Sequence, residues 1–391
     1  MAVVILSSAR TPIGSLQGAL APLKASQLGA VAVSAALERA AVAPEDVDLV
    51  AMGNVLSAGM GQAPARQAAR LAGLPDAVPA VTINKMCGSG LEAIVQAARA
   101  LLVGDASLAV AGGMESMSTA PYLLPATRGG ARLGHAQALD SILIDGLVDP
   151  YDGSHMGNCA DRCARDYAFT RQEQDAYAVR SYERSQAATR DGTFAREIVS
   201  VDVPGRRGTV RSVLVDEGPD LVDFERLPTL RPAFEEGGTV TAANASTIND
   251  GAAALVLAHE RAALERGHGA VARLVGWSVH AQSPATFTTA PIGAMRALLE
   301  RVGWSVDEVD AYEINEAFAV VPLAAMRDLA LPEERVNVYG GAVALGHPIG
   351  ASGARIVVTL LNALRSGGGR RGVASACIGG GEAWAVAVEL L

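Results

Sequence analysis

Short runs of aliphatic and β-branched residues alternate along the chain with longer Ala- and Leu-rich segments whose apolar positions recur at helical spacing. Val3–Ser7 predicts a strand, Gln27–Ala40 a helix and Asp48–Val55 a second strand. Leu91–Val103 predicts a helix and Leu108–Ala111 a buried strand. Strands apolar on both faces and separated by helices predict a layered α/β architecture with mainly parallel central strands. No apolar run reaches the ~18–20 residues that span a bilayer. The start, Met1-Ala2-Val3-Val4-Ile5-Leu6, has no basic segment before its apolar run, so it predicts a first strand rather than a signal peptide.

The pattern also repeats. Leu37-Glu38-Arg39 returns as Leu299-Glu300-Arg301 and Val47-Asp48 as Val309-Asp310, both at an offset of 262 (299 − 37 and 309 − 47). Ser89-Gly90, opening an apolar helix, returns as Ser352-Gly353 at 263 (352 − 89). Each of these helices runs through a Gly turn into a small-residue strand and a glycine pair, Gly112-Gly113 and Gly379-Gly380. Three matches in one order at nearly one offset predict a duplicated domain. The first half covers 1–118 and is completed by about 250–269; the second covers 270–391.

Between them, 119–249 breaks the rhythm with turn residues (Pro121, Pro125, Gly129-Gly130, Asp152-Gly153, Pro204-Gly205), one amphipathic helix over Arg171–Arg190 and a basic loop at Arg206-Arg207…Arg211. This segment predicts an insertion folding over the first half, of the kind that builds a substrate site. Ala252–Leu257 predicts a strand returning to the first half.

Composition narrows the class. Half of the 391 residues are apolar, which excludes disorder, and four cysteines suit a reducing compartment better than a disulfide scaffold. Aromatics are only 4%, and 41 acidic residues exceed 32 basic ones, which argues against a general nucleic-acid binder. An intracellular enzyme is the expected class, with no membrane partner.

Four motifs carry candidate chemistry. Cys87, in Asn84-Lys85-Met86-Cys87-Gly88-Ser89-Gly90, lies after an apolar strand and before a helix, where unpaired N–H groups favour a thiolate. It reads either as a nucleophile or as a buried packing thiol. His347, in Gly346-His347-Pro348-Ile349-Gly350-Ala351-Ser352-Gly353, suits a base or an oxyanion donor; the glycines lack the Gly-Lys-Ser/Thr ending of a phosphate loop. Cys377-Ile378-Gly379-Gly380-Gly381 offers a second acid/base thiol and backbone donors. Asn315, in Asn315-Glu316-Ala317-Phe318, is either a water-orienting amide or a strand-end cap. Cys159 and Cys163, four apart, read as one helical face of thiols rather than a metal site.

Taken together and in this order, the four motifs resemble those of the thiolase family, and the resemblance covers the whole chain. The segment Thr241-Ala242-Ala243-Asn244-Ala245-Ser246…Asn249-Asp250-Gly251 is similar to the family's own. The resemblance implies a thiolase fold: two duplicated α/β halves in a layered αβαβα core, with 119–249 as a loop domain for CoA. It implies reversible Claisen condensation of two acetyl-CoA to acetoacetyl-CoA and CoA. Cys87 would be the acylated nucleophile, His347 its activator, Cys377 the second acid/base, and Asn315 the holder of a water at the enolate oxygen. The N–H groups of Cys87 and Gly379 would bind the acyl oxyanion.

By the same resemblance Ser246, His155, Met156, Leu147, Phe234 and Phe318 would line the pantetheine and acyl site, and Arg226 would lie near the nucleotide phosphates. Tyr182, Ala242, Ala243, Ala245 and Val343 are similar to a potassium site found in one subclass; no other cofactor is implied. The Gly129–Leu147 stretch resembles a loop that joins dimers, which implies a homotetramer, and a cytoplasmic location fits. A broader-range 3-ketoacyl-CoA thiolase is the enzymatic alternative. A decarboxylating ketoacyl synthase lacks a second cysteine of this kind, and an inactive lipid carrier is expected to have lost one of the motifs.

Overall fold

The computed structural model describes residues 2–391, the side chain of Arg206 excepted; Met1 of the expected first strand and the Arg206 side chain of the basic loop lie outside the described residues. The described residues form β1 (Val3–Arg10), β2 (Gly14–Ser15), β3 (Leu49–Gly53), β4 (Ala80–Ile83), β5 (Leu108–Ser116), β6 (Tyr122–Leu123), β7 (Leu139–Asp140), β8 (Val201–Pro204), β9 (Val210–Val213), β10 (Asn249–His259), β11 (Ala272–Ala281), β12 (Ala311–Ile314), β13 (Arg371–Ile378) and β14 (Glu382–Leu390). The helices are α1 (Ala25–Ala40), α2 (Pro64–Leu71), α3 (Ser89–Val103), α4 (Met156–Asp166), α5 (Arg171–Arg190), α6 (Glu260–Glu265), α7 (Ala290–Val302), α8 (Val320–Leu329), α9 (Ala342–Leu345) and α10 (Ile349–Gly367).

Ten strands form one sheet in the order β12-β13-β14-β11-β1-β10-β5-β3-β4, with β2 on β10. Outward from the β1–β11 junction, β1-β10-β5-β3 on one side matches β11-β14-β13-β12 on the other. The expectation of mainly parallel central strands fails here. Only β3 with β4 and β5, and β12 with β13, run parallel; every pair from β13 through to β5 is antiparallel. The connections explain it. A tight turn at Gly379–Gly381, with Gly380 and Gly381 at φ 95° and 92°, joins β13 to β14 as a hairpin, and β10 arrives only after the long insertion.

The repeat is physical. α1 ends at Ala40 and α7 at Val302, and each is followed by a residue in the left-handed region, Ala41 (φ 50°) and Gly303 (φ 70°). The repeated Val-Asp has one job in both halves. Asp48 Oδ2 accepts from Ser107 N and Leu108 N at the start of β5, and Asp310 Oδ2 accepts from Arg370 N and Arg371 N at the start of β13. The repeated Ser-Gly pairs meet each other. A Cβ on Gly90 of α3 would lie 2.4 Å from Ala354 N, and one on Gly353 of α10 would lie 2.6 Å from Leu91 N, so only glycine lets the two helices cross this closely.

Five layers result. α1 and α2 cover the outer face of the first half-sheet, α7 and α8 the outer face of the second, and α3 with α10 fill the space between the two halves. Met86–Val103, which contains α3, is long and apolar enough by composition to cross a bilayer, with a mean hydropathy of 1.3, contrary to the sequence expectation. In the fold α3 packs in the interior against α10, β3 and β5, as a core helix does.

The insertion departs from expectation in two ways. Helix α5 has the expected bounds, but its buried side is polar: Gln174, Asp175, Tyr177, Ser181, Tyr182 and Ser185 are all buried. Hydrogen bonding therefore seats it, chiefly on Glu316, whose carboxylate accepts from Tyr177 and Ser181 (2.7 Å each), Asn337 Nδ2 (2.9 Å) and Val343 N (3.0 Å). In addition, the insertion does not fold over the first half alone. Hairpin β8–β9 adds Val201, Val203 and Val213 to that core, while α4 and α5 pack on α8 and α9 of the second half. Cys159 and Cys163 are both buried on α4.

Candidate active site

The chain leaves β4 through a tight turn that presents Cys87. Asn84 Oδ1 accepts from Met86 N (3.1 Å), Met86 adopts φ 48°, and Gly88 N donates to Lys85 O (3.0 Å). Ser89 Oγ accepts from Lys85 N (2.8 Å) and donates to Met86 O (2.7 Å), tying the turn to the first residue of α3. A positive φ in a non-glycine residue directly before the thiol is the kind of local strain that functional turns retain.

His347 follows α9, with its N–H shared between Asn249 Oδ1 (3.0 Å) and Thr247 O (3.2 Å). Its Nδ1 lies 2.6 Å from Ser352 Oγ, and that hydroxyl donates its own proton to Pro348 O (2.9 Å). The hydroxyl therefore accepts from Nδ1–H, which leaves Nε2 with a lone pair. Nε2 is buried and has no hydrogen-bond partner among the described residues, so it is free to take a proton.

Burial keeps both groups neutral. Loss of water pushes the Cys87 thiol up to about 11, although hydrogen bonds from Gly379 N–H and from its own N–H favour the thiolate. The helix end thus does not make a resting thiolate here. Burial also lowers His347 to about 3, helped by the nearby Arg355 charge. Cys377, fully buried at the end of β13, is held well above the usual thiol range by burial and then by Cys87.

Cys87, His347 and Gly379 open onto one cavity of about 750 Å³. Every residue expected at the pantetheine, acyl and phosphate site lines it: Leu147, His155, Met156, Arg226, Phe234, Ser246 and Phe318. His155 caps α4, accepting from Gly157 N at 3.0 Å, and its ring stacks on Phe234 at 4.7 Å. Phe234 in turn meets Phe318 edge-on at 6.0 Å. Ser246 is fixed beside Phe318 by its N–H to Ala317 O (3.0 Å). Tyr182, Ala242, Ala243 and Ala245 also lie on the wall; Val343 is buried behind it with Tyr182 and Ala344.

Cys377 and Asn315 are fully buried and do not form the wall. Asn315 N donates to Ser375 O (2.9 Å), Oδ1 accepts from Arg355 Nη2 (3.5 Å), and Nδ2 has no partner among the described residues. Sequence reading missed Ser352 as the group that sets the imidazole tautomer; its place five residues after His347, one turn into the helix, is the available signal. It also missed Glu115. That buried carboxylate is pushed up to about 7 by burial, against the N–H groups of Val55, Gly350 and Leu56 that favour its charged form.

Comparison with known proteins agrees with this geometry. Residues 3–261 match the family description "Thiolase, N-terminal domain" and residues 268–390 match "Thiolase, C-terminal domain". Acetyl-CoA acetyltransferase 1 of Arabidopsis thaliana is 50% identical over 391 residues, covering 100% of this chain and 94% of that protein. A cytosolic acetyl-CoA acetyltransferase of Gibberella zeae is 48% identical over 391 residues, covering 100% of this chain and 98% of that protein. The crystal structure of the Acat5 thiolase from Ascaris suum in complex with coenzyme A superposes with a TM-score of 0.95 at 44% identity, covering 100% of both chains. The chain belongs to the thiolase family and has its fold.

Proposed function

We propose that the chain is an acetyl-CoA C-acetyltransferase, interconverting two acetyl-CoA with acetoacetyl-CoA and CoA through an acetyl group on Cys87. The observation that carries the reading is the unpartnered Nε2 of His347, its tautomer set by Ser352, on the same cavity wall as Cys87 and Gly379. The names of the relatives support it.

In the cleavage direction Cys87 Sγ attacks the 3-keto carbon of acetoacetyl-CoA while its proton passes to His347 Nε2. A neutral imidazole is needed for that step, and burial supplies it. The N–H groups of Cys87 and Gly379, which point at Sγ in the resting site, bind the tetrahedral oxyanion. Breaking the C2–C3 bond releases the enolate of acetyl-CoA, and Cys377 protonates it at carbon; a thiol held protonated by burial suits an acid. Asn315 Nδ2, buried and without a partner among the described residues, is the donor that would hold a water at the enolate oxygen. CoA thiol then attacks the acetyl thioester, its proton returns Cys377 to the thiol, and His347 returns the proton to Cys87.

For the CoA, the exposed Arg226 on the cavity wall offers the cation near the phosphates, and the stacked His155–Phe234–Phe318 series packs along pantetheine. A potassium ion fits as a second tier of this reading. The four acceptor positions of Glu316 are taken by Tyr177, Ser181, Asn337 and Val343, so Tyr182 and the backbone around Ala242, Ala243, Ala245 and Val343 provide neutral oxygens only. Neutral oxygens suit a weakly held hard monovalent cation. The exposed 124–138 segment, with Leu133 wholly exposed, supports a tetramer, and the cytosolic relative supports a cytosolic location.

The test is direct. Incubation with acetyl-CoA alone should leave one acetyl group on the tryptic peptide carrying Cys87; an unmodified peptide, or acetylation elsewhere, would contradict the proposal.

A further inference from the structure

Helix α10 carries the base at its N-terminal approach, yet Pro348 at its cap position offers no side-chain acceptor to the orphan N–H groups of the first turn. A strand of the other half supplies one. Glu115, near the end of β5, is fully buried and sends its carboxylate to the helix terminus: Oε2 accepts from Gly350 N (2.9 Å) and from Val55 N (3.0 Å). Oε1 accepts from Asn54 Nδ2 (2.8 Å) and Leu56 N (3.2 Å). Three of the four donors are backbone N–H groups, which cannot reverse into acceptors, so the network is built for the ionised carboxylate. The packing admits no slack. A Cβ on Gly350 would lie 2.8 Å from Glu115 Oε2 and from Asn54 Cα, and 2.9 Å from Met114 O.

These bonds converge on the catalytic parts. Gly350 lies three residues beyond His347 and two before Ser352, so its N–H fixes the turn that aims the imidazole. Val55 and Leu56 pack with Ile349 and Met86 in a small apolar cluster against Cys87. We propose that Glu115 is the positioning residue of the base: it caps α10 from β5 and so holds His347 in register with Cys87 across the junction of the two halves. The inference rests on the acyl-transfer reading above for its consequence, but not for its geometry.

A competing role has the opposite sign. The Glu115 charge itself disfavours the Cys87 thiolate. If field were its only effect, removing that charge would speed reaction at Cys87; if Glu115 positions His347, removing it slows that reaction.

The experiment compares wild type, Glu115→Gln, His347→Gln and the double variant, with Glu115→Asp held ready should the Gln variant not fold. Two readouts are taken: acetoacetyl-CoA cleavage by CoA, and substrate-free alkylation of Cys87 by iodoacetamide. Positioning predicts that Glu115→Gln lowers kcat about 100-fold with KM within about twofold, the scale of a displaced general base. It also predicts slower alkylation and a double variant no worse than His347→Gln alone. Glu115→Asp, which keeps the charge but shortens the reach, should fall between wild type and Gln in both readouts. Wild-type or faster alkylation in the Glu115 variants, or losses that multiply in the double variant, would overturn it. A wild type that alkylates normally but does not cleave acetoacetyl-CoA would overturn the acyl-transfer reading and leave the alkylation comparison to decide this one.

Discussion

At the scale of the residue, the site depends on which protons stay put. Cys87 at about 11 and His347 at about 3 are both neutral near pH 7, so the proton moves when the thioester carbonyl arrives and not before. Free-enzyme alkylation of Cys87 should therefore keep rising beyond pH 9; a plateau by pH 7 would mean a resting thiolate–imidazolium pair. The imidazole also bears on stability. Its folded value is depressed below 6.5, so the unfolded chain takes the proton first, and the native state loses stability as pH falls from about 6.5 toward 3. In that window wild type should lose thermal stability faster than His347→Gln, and parallel curves would count against the buried neutral imidazole. Cys87 and His347 were legible because a thiol and an imidazole among glycines are rare and carry chemistry in their own names. Ser352 and Glu115 were not, because a serine in a helix and a glutamate in a strand announce nothing until their partners are seen.

At the scale of the element, duplication is carried by small structural devices. Asp48 and Asp310 each gather two N–H groups at the start of a strand, so Asp48→Ala and Asp310→Ala should each lower unfolding free energy by about 0.5–1.5 kcal/mol, the net worth of hydrogen bonds whose donors water can reach. Denaturant titration checks this, and a large effect in one half only would show that the two clamps are not equivalent. At the α3–α10 crossing, Gly90→Ala inserts a methyl 2.4 Å from a backbone nitrogen and should cost about 1–3 kcal/mol by overpacking. Helix bounds were readable where caps were present: Thr170 and Glu173 box the start of α5. Strand direction was not readable, because β10 is separated from its partners by the insertion and nothing local in an apolar run says which way its neighbour points. The polar buried face of α5 was likewise hidden, since its partner Glu316 lies 135 residues beyond Ser181.

At the scale of the whole molecule, the insertion binds the two halves as well as covering the site, because α5 is seated on the second half through Glu316 while β8–β9 joins the core of the first. The repeat at an offset of 262–263 made the twofold plan visible from sequence, but not that the halves share a continuous sheet through β1 and β11. If a potassium ion sits near Tyr182, cleavage of acetoacetyl-CoA should be faster in potassium than in sodium buffer at equal ionic strength, and equal rates would remove the ion from the account. The central claim is that two thiols, Cys87 on the cavity wall and the buried Cys377, divide the chemistry. Acetoacetyl-CoA cleavage with free CoA, followed in wild type, Cys87→Ser and Cys377→Ser, tests it most directly. The account predicts turnover by wild type and a loss of at least about a thousandfold in each variant, as expected when a nucleophile or an acid/base is removed; wild-type activity in either variant would contradict it.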